Sequence, residues 1–67
     1  MSRYTVWSVG RDGNVVDDKE FALGHEALER HEFLSDFFGR SRYVGITDNE
    51  YPEAGDVSER LAEEVSK

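Results

Sequence analysis

Residues 3–16, RYTVWSVGRDGNVV, contain the strand and turn signals from which the rest of the fold follows. Residues 3–9 are rich in β-branched and aromatic side chains that alternate between two faces, a pattern that favours a strand. The Asp-Gly dipeptide at 12–13 is a strong signal for a hairpin turn, and the two valines that follow resume extended structure. We therefore predict a hairpin whose return strand continues irregularly to residue 23.

The segment after this hairpin changes from a period of two residues to a helical period. Apolar residues within 25–38 share one broad face of a helix, with Gly24 as its N-cap and Gly39 as its C′ residue. Residues 42–47 alternate again and predict a third strand, in which Tyr43 lies on the face opposite Val44 and Ile46.

The last quarter of the chain predicts a loop and a second helix. Asp56 is interpreted as the N-cap of this helix, because Glu59 three residues later completes a capping-box pattern. Val57, Leu61 and Val65 then recur every four residues and form a narrow apolar stripe.

These elements predict one small α+β domain over residues 1–67, in the order β-β-α-β-α. Its sheet has three mainly antiparallel strands, and the first helix lies across one face. The side chains expected to be among the most buried are Leu28, Leu34, Phe38, Val44 and Ile46.

The composition excludes some classes of partner but does not identify a function. The chain has 67 residues, no cysteine and a net charge of −7, and residues 48–67 carry seven acids against two bases. Such a field repels nucleic acid and anionic membranes and favours basic partners. A solvated surface that serves solubility, or adaptation to salt, would produce the same acidity.

No motif in the sequence predicts an active site, a metal site or a cofactor. His25 and His31 are six residues apart, whereas the zinc-protease helix needs histidines four apart. Residues 48–59 have acids at spacings found in calcium loops, but Pro52 and Glu53 occupy positions that the loop needs for its turn. His31 falls on the apolar helix face and is expected to be half-buried and hydrogen-bonded.

Two apolar features exceed what one helix can cover. The first strand is apolar on both faces, so either Trp7 or Val6 must look away from the first helix. The last helix covers this second face with its apolar stripe, or the face is a contact site. Phe33 projects outside the main apolar arc of the first helix, among acidic residues.

We therefore expect a cytoplasmic, non-enzymatic acidic protein that binds another protein with a basic surface, as a small regulator or inhibitor, and that binds neither free nucleic acid nor membrane. The residues expected to contact the partner are Trp7, Phe33, Tyr43, Asp48, Glu50 and Glu53. Three alternatives stay open: a mimic of nucleic-acid charge, a subunit of a larger assembly or homo-oligomer, and a base-stacking binder that uses Trp7 and Tyr43.

Overall fold

The computed structural model describes residues 2–66, with Ser66 described by its backbone only. The elements are β1 (Tyr4–Gly10), β2 (Val15–Phe21), α1 (Gly24–Phe38), β3 (Arg42–Asp48), a 3-10 turn (Pro52–Ala54) and α2 (Ser58–Ser66). The predicted order β-β-α-β-α and the α+β class are confirmed.

The sheet has the strand order β2-β1-β3, and both pairings are antiparallel. The predicted irregularity of the return strand is a β-bulge, because Val6 pairs with Lys19 whereas Trp7 pairs with Asp17. The extra residue, Asp18, is left without a cross-strand partner, and its carboxylate binds Arg30 of α1 at 2.7 Å. The bulge and the charges of β2 make this edge strand a poor template for pairing with another chain.

Two glycines make the turns that the sequence predicts. Gly13 has a φ of 82° and donates its N–H to the carbonyl of Gly10, which closes the hairpin. Gly39 has a φ of 57° and donates to the carbonyl of Ser35 at the end of α1. Side chains with a Cβ rarely adopt this left-handed conformation. The start of α1 differs from the prediction, because its N-cap is Leu23 and Gly24 is already helical.

The core lies between the sheet and the two helices. Its buried apolar side chains are Tyr4, Val6, Ala27, Leu34, Val44, Ile46, Val57 and Leu61. Of the five predicted core residues, Leu28 and Phe38 are only partly buried and pack against its margin. A sheet of three strands is too narrow to cover the whole apolar arc of a 15-residue helix, and Phe37 of that arc is 72% exposed.

Helix α2 packs on the same side of the sheet as α1. Leu61 lies against Gly24, where an added Cβ would stand 2.9 Å from its Cδ1 atom, and Val57 and Leu61 join the common core. The predicted alternative in which α2 covers the second sheet face is therefore wrong. Val57 and Leu61 of the apolar stripe instead pack beside α1 and complete the core, whereas Val65 is exposed.

Asp56 does not cap α2 in the predicted way, because the helix begins at Ser58 and the carbonyl of Val57 accepts its first helical hydrogen bond, from Leu61. Asp56 Oδ1 accepts hydrogen bonds from the N–H groups of Ser58 and Ile46. Its carboxylate therefore joins the start of α2 to the outer edge of β3. Within the described residues no helix is long and apolar enough to cross a membrane.

Candidate functional site

The sheet face that points away from both helices is the main candidate site. It carries Thr5, Trp7 and Val9 of β1 and Tyr43 and Thr47 of β3, and we call it the open face. Alternate residues of these strands, such as Val6 and Ile46, are fully buried under the helices. Because successive side chains of a strand point to opposite faces, Trp7 and Tyr43 must lie outside the core.

Trp7 is held in one position on the open face. Its Nε1–H donates to Thr47 Oγ1 at 2.8 Å. Its ring lies over Gly45, the residue that pairs with it on β3, and a Cβ at that position would approach Trp7 Cζ2 to 2.3 Å. The missing side chain of Gly45 thus creates the space that the indole ring fills.

Tyr43 extends the aromatic surface next to Trp7. The two ring centroids are 5.9 Å apart with the planes tilted by 47°, and Tyr43 is 57% exposed. Its hydroxyl donates to Asp56 Oδ2, and this hydrogen bond raises the pKa of the Tyr43 phenol. Burial opposes ionisation of Asp56, but the hydrogen bonds from Tyr43, Ile46 and Ser58 outweigh it, so the pKa of this carboxyl lies below its usual range.

The charged groups around this aromatic pair are acidic. Asp17 pairs with Trp7 across β2, and Glu20 pairs with Thr5. Directly opposed residues of an antiparallel pair share a face. Together with Asp56 they give the open face three carboxylates, and none of the residues that the structure pairs across this face is basic.

Phe33 lies on the other side of the molecule, on α1. Its ring stacks with that of Phe37 at a centroid distance of 6.3 Å, and both rings are more than half exposed. The guanidinium of Arg30, held by Asp18, lies 5.1 Å from the centroid of Phe33. The sheet therefore separates the three predicted aromatic contacts into two surfaces, with Trp7 and Tyr43 on one and Phe33 on the other.

The three predicted acidic contacts also differ in their surroundings. The Asp48 side chain is fully buried, and Oδ2 lies 3.2 Å from Arg3 and 3.6 Å from Arg60. The hydrogen bond from Arg3 holds the pKa of the Asp48 carboxyl below its usual range, and the N–H of Glu50 adds to this.

Glu50 lies 3.4 Å from Arg3, and Glu53 is exposed on the 3-10 turn. A partner contact at these acidic residues stays a prediction. The Asp48 carboxylate already has two arginines of its own chain.

Asp56, Gly45 and Thr47 also belong to this site, although the sequence patterns do not identify them as site residues. Strand alternation already places Gly45 and Thr47 on the face of Tyr43, which was a usable signal. Their contact with Trp7 depends on the register between β1 and β3, which no local pattern specifies. The bond between Asp56 and Tyr43 joins residues of a loop and a strand, and nothing in the sequence indicates it.

Residues 2–66 contain no group of three or more side chains placed to hold a metal ion. His31 is half-buried, and its Nε2 donates to the carbonyl of Val44 at 3.0 Å, so the predicted environment of this histidine is confirmed. No protein-family model, curated protein or solved structure matches this chain.

Proposed function

We propose that this chain is a non-enzymatic protein-binding domain, and that its open face receives a basic segment of another protein. The observation that carries the proposal is the fixed pair of Trp7 and Tyr43 on a sheet face that neither helix covers. Tryptophan and tyrosine are favoured anchors at protein interfaces, since each combines a large apolar ring with a polar atom.

The aromatic pair is organised before any partner arrives. Trp7 is bonded to Thr47, and Tyr43 is bonded to Asp56. Ordering a rotamer-rich side chain at an interface costs about 0.5–1.5 kcal/mol, so rings that are already fixed lose less on binding. This supports a docking role for the open face over a role as incidental exposed surface.

Charge supports a cationic partner. Arginine or lysine side chains are attracted to the faces of aromatic rings, by about 0.5–1 kcal/mol at exposed sites. Asp17 pairs with Trp7 and Glu20 pairs with Thr5 on the neighbouring strand β2, so both carboxylates can bind cations at the open face. The net charge of −7 steers basic segments towards the domain from a distance.

The test is an NMR titration of the chain with a short arginine- and glycine-containing peptide, beside a peptide in which glutamate replaces each arginine. We expect the arginine peptide to shift signals of the open face, and Trp7→Leu to weaken its binding by roughly tenfold, as for an interface anchor. Phe33→Leu is the matched control, because it alters an exposed aromatic residue on the other side of the sheet and should leave the affinity unchanged.

Other outcomes would favour the alternatives. Loss of binding in Phe33→Leu but not in Trp7→Leu would move the site to α1. Dependence on Glu50 and Glu53 with no effect at Trp7 would favour a mimic of nucleic-acid charge. Saturable binding of single-stranded oligonucleotides that quenches Trp7 fluorescence would contradict the proposal and favour base stacking.

A further inference from the structure

Three arginines gather at the end of the molecule where α1 ends and the hairpin turns. Arg11 lies in the hairpin turn, and Arg40 and Arg42 follow α1. They line one open groove of about 670 Å³, together with Ser41, Phe38 and Asp12. This places three of the eight basic residues of a strongly acidic chain in a single concavity.

These three arginines differ from the other arginines of the described residues. Arg3 and Arg60 are paired with Asp48, and Arg30 is paired with Asp18. Arg11, Arg40 and Arg42 have no carboxylate at ion-pair distance within residues 2–66. The acid of the groove, Asp12, is already hydrogen-bonded through both oxygens to Asn14.

Arg42 is the fixed member of the group. It is half-buried, and it donates to Ser8 Oγ at 3.0 Å and to the carbonyl of Ser8 at 3.2 Å. Its guanidinium lies 5.8 Å from the ring centroid of Phe38 and rests against Gly10, where an added Cβ would stand 3.0 Å from Nη1. Nη1 has no hydrogen-bond partner among the described residues. The Arg42 guanidinium therefore keeps one nitrogen free to donate to an anion in the groove.

We propose that this groove binds the phosphoryl group of a small phosphate monoester, with Arg42 as the fixed contact and Arg11 and Arg40 closing on it. Three arginines and one aspartate leave two positive charges in the groove. A phosphate monoester carries about −1.5 to −2 near pH 7 and matches this charge, whereas a carboxylate carries half as much. Arg42 offers Nη1 to the phosphate, because its Nε and Nη2 are bonded to Ser8. Arginine also suits phosphate because its planar fork can donate two parallel hydrogen bonds, and this fork is available at Arg11 and Arg40. The apolar wall at Phe38 would take the organic part of the ligand.

The test is a titration of the full chain with phenyl phosphate, inorganic phosphate and benzoate at low salt, followed by NMR of the arginine Nε–H groups and of the Ser41 amide. We expect phenyl phosphate to bind more tightly than either of the others. Binding should weaken from about pH 7.5 to about pH 5, because the second pKa of a phosphate monoester is about 6 and the dianion is lost.

Variants separate a site from general attraction of anions. Arg40→Gln and Arg11→Gln should each weaken phenyl phosphate binding by roughly twofold to fivefold, the effect of a single solvent-exposed ion pair. Lys19→Gln removes the same charge from β2, outside the groove, and should leave affinity unchanged. Equal effects of Lys19→Gln and Arg40→Gln, or benzoate binding as tight as phenyl phosphate, would overturn the proposal. The groove is separate from the open face, so the outcome does not depend on the proposed protein partner.

Discussion

At the residue scale, the buried carboxylate of Asp48 shows how this acidic chain places one of its charges inside the fold. Arg3 and Arg60 approach it from different ends of the chain, and the N–H of Glu50 donates to Oδ1. A buried charge is tolerated only where partners replace its hydration. Asp48 therefore joins the N-terminal segment, the end of β3 and helix α2 at one point.

We expect acid to destabilise the protein through Asp48, Asp18 and Asp56. Each carboxyl has a pKa below its ordinary value in the folded state, so the unfolded chain binds more protons in acid. The stabilisation is complete from about one pH unit above the unfolded pKa of about 3.9, and it is lost as the pH falls through that value and the folded values. Thermal unfolding should therefore show a melting temperature that declines below about pH 5.

The variant Asp48→Asn measures how much of the decline in melting temperature is due to Asp48. The variant should lose roughly 1–3 kcal/mol at neutral pH, because the two arginines lose their charged acceptor. Its melting temperature should also fall less steeply in acid than that of the parent chain. A variant with the same acid slope as the parent would show that other carboxyls control the transition.

Gly45 gives a second prediction at this scale, because the Trp7 ring occupies the place of its side chain. Gly45→Ala should destabilise the fold by about 1–3 kcal/mol, as overpacking does, and push Trp7 into solvent. Urea unfolding measures the first effect and a red shift of tryptophan emission measures the second. Gly13→Ala is a useful comparison, since it adds a strained methyl where nothing lies within 4 Å and should leave the emission unchanged.

At the element scale, both helices share one face of the sheet. Helix α1 covers β1 and β3, and α2 lies beside it over β3 with Leu61 against Gly24. A glycine at the first position of α1 allows this close approach, although glycine is a poor residue within a helix. Because α2 packs beside α1, it leaves the open face uncovered, and the aromatic residues of that face are exposed.

Leu61→Ala tests the docking of α2. We expect it to cost on the order of 2–5 kcal/mol, because Leu61 is 4% exposed and its removal leaves a cavity against α1. Val65→Ala on the same helix should change stability by less than about 0.5 kcal/mol, since Val65 is 47% exposed. Chemical denaturation measures the free energy of unfolding of both variants. Equally small losses in the two variants would mean that α2 contributes little to the core.

At the scale of the whole molecule, the packing of a small core must offset the electrostatic repulsion among the acidic side chains. Most carboxylates of residues 48–66 are exposed, including Glu53, Glu59 and Glu63. The ion pairs of the described residues are mostly solvent-exposed on at least one side, where such pairs contribute only about 0–1 kcal/mol. The repulsion among the acids should therefore outweigh them.

We expect added salt to raise the melting temperature by a few degrees. Between about 0.01 M and about 0.15 M salt, the Debye length falls from roughly 30 Å to roughly 8 Å, so repulsion among the exposed acids is screened. Calorimetry in sodium chloride measures the effect, and sodium sulfate is avoided because it stabilises proteins in general. A steady fall in melting temperature over this range would show that attractive ion pairs dominate.

The elements and their order follow from local signals in the sequence. Alternation in residues 3–9 and 42–47, helical spacing in 25–38 and the two turn glycines are local signals, and local backbone preferences act wherever the segment finally lies. These signals also predicted the half-buried position of His31 and the burial of Leu34, Val44 and Ile46.

Which surfaces are free depends on tertiary packing. It brought α2 to the side of α1, buried Asp48 between two arginines, and separated Trp7 and Tyr43 from Phe33. Each of these outcomes depends on contacts between residues far apart in the chain, such as Leu61 with Gly24 and Asp56 with Tyr43. A short apolar stripe can be buried equally well on either face of a sheet, so only the packing of the whole chain selects the face that stays open.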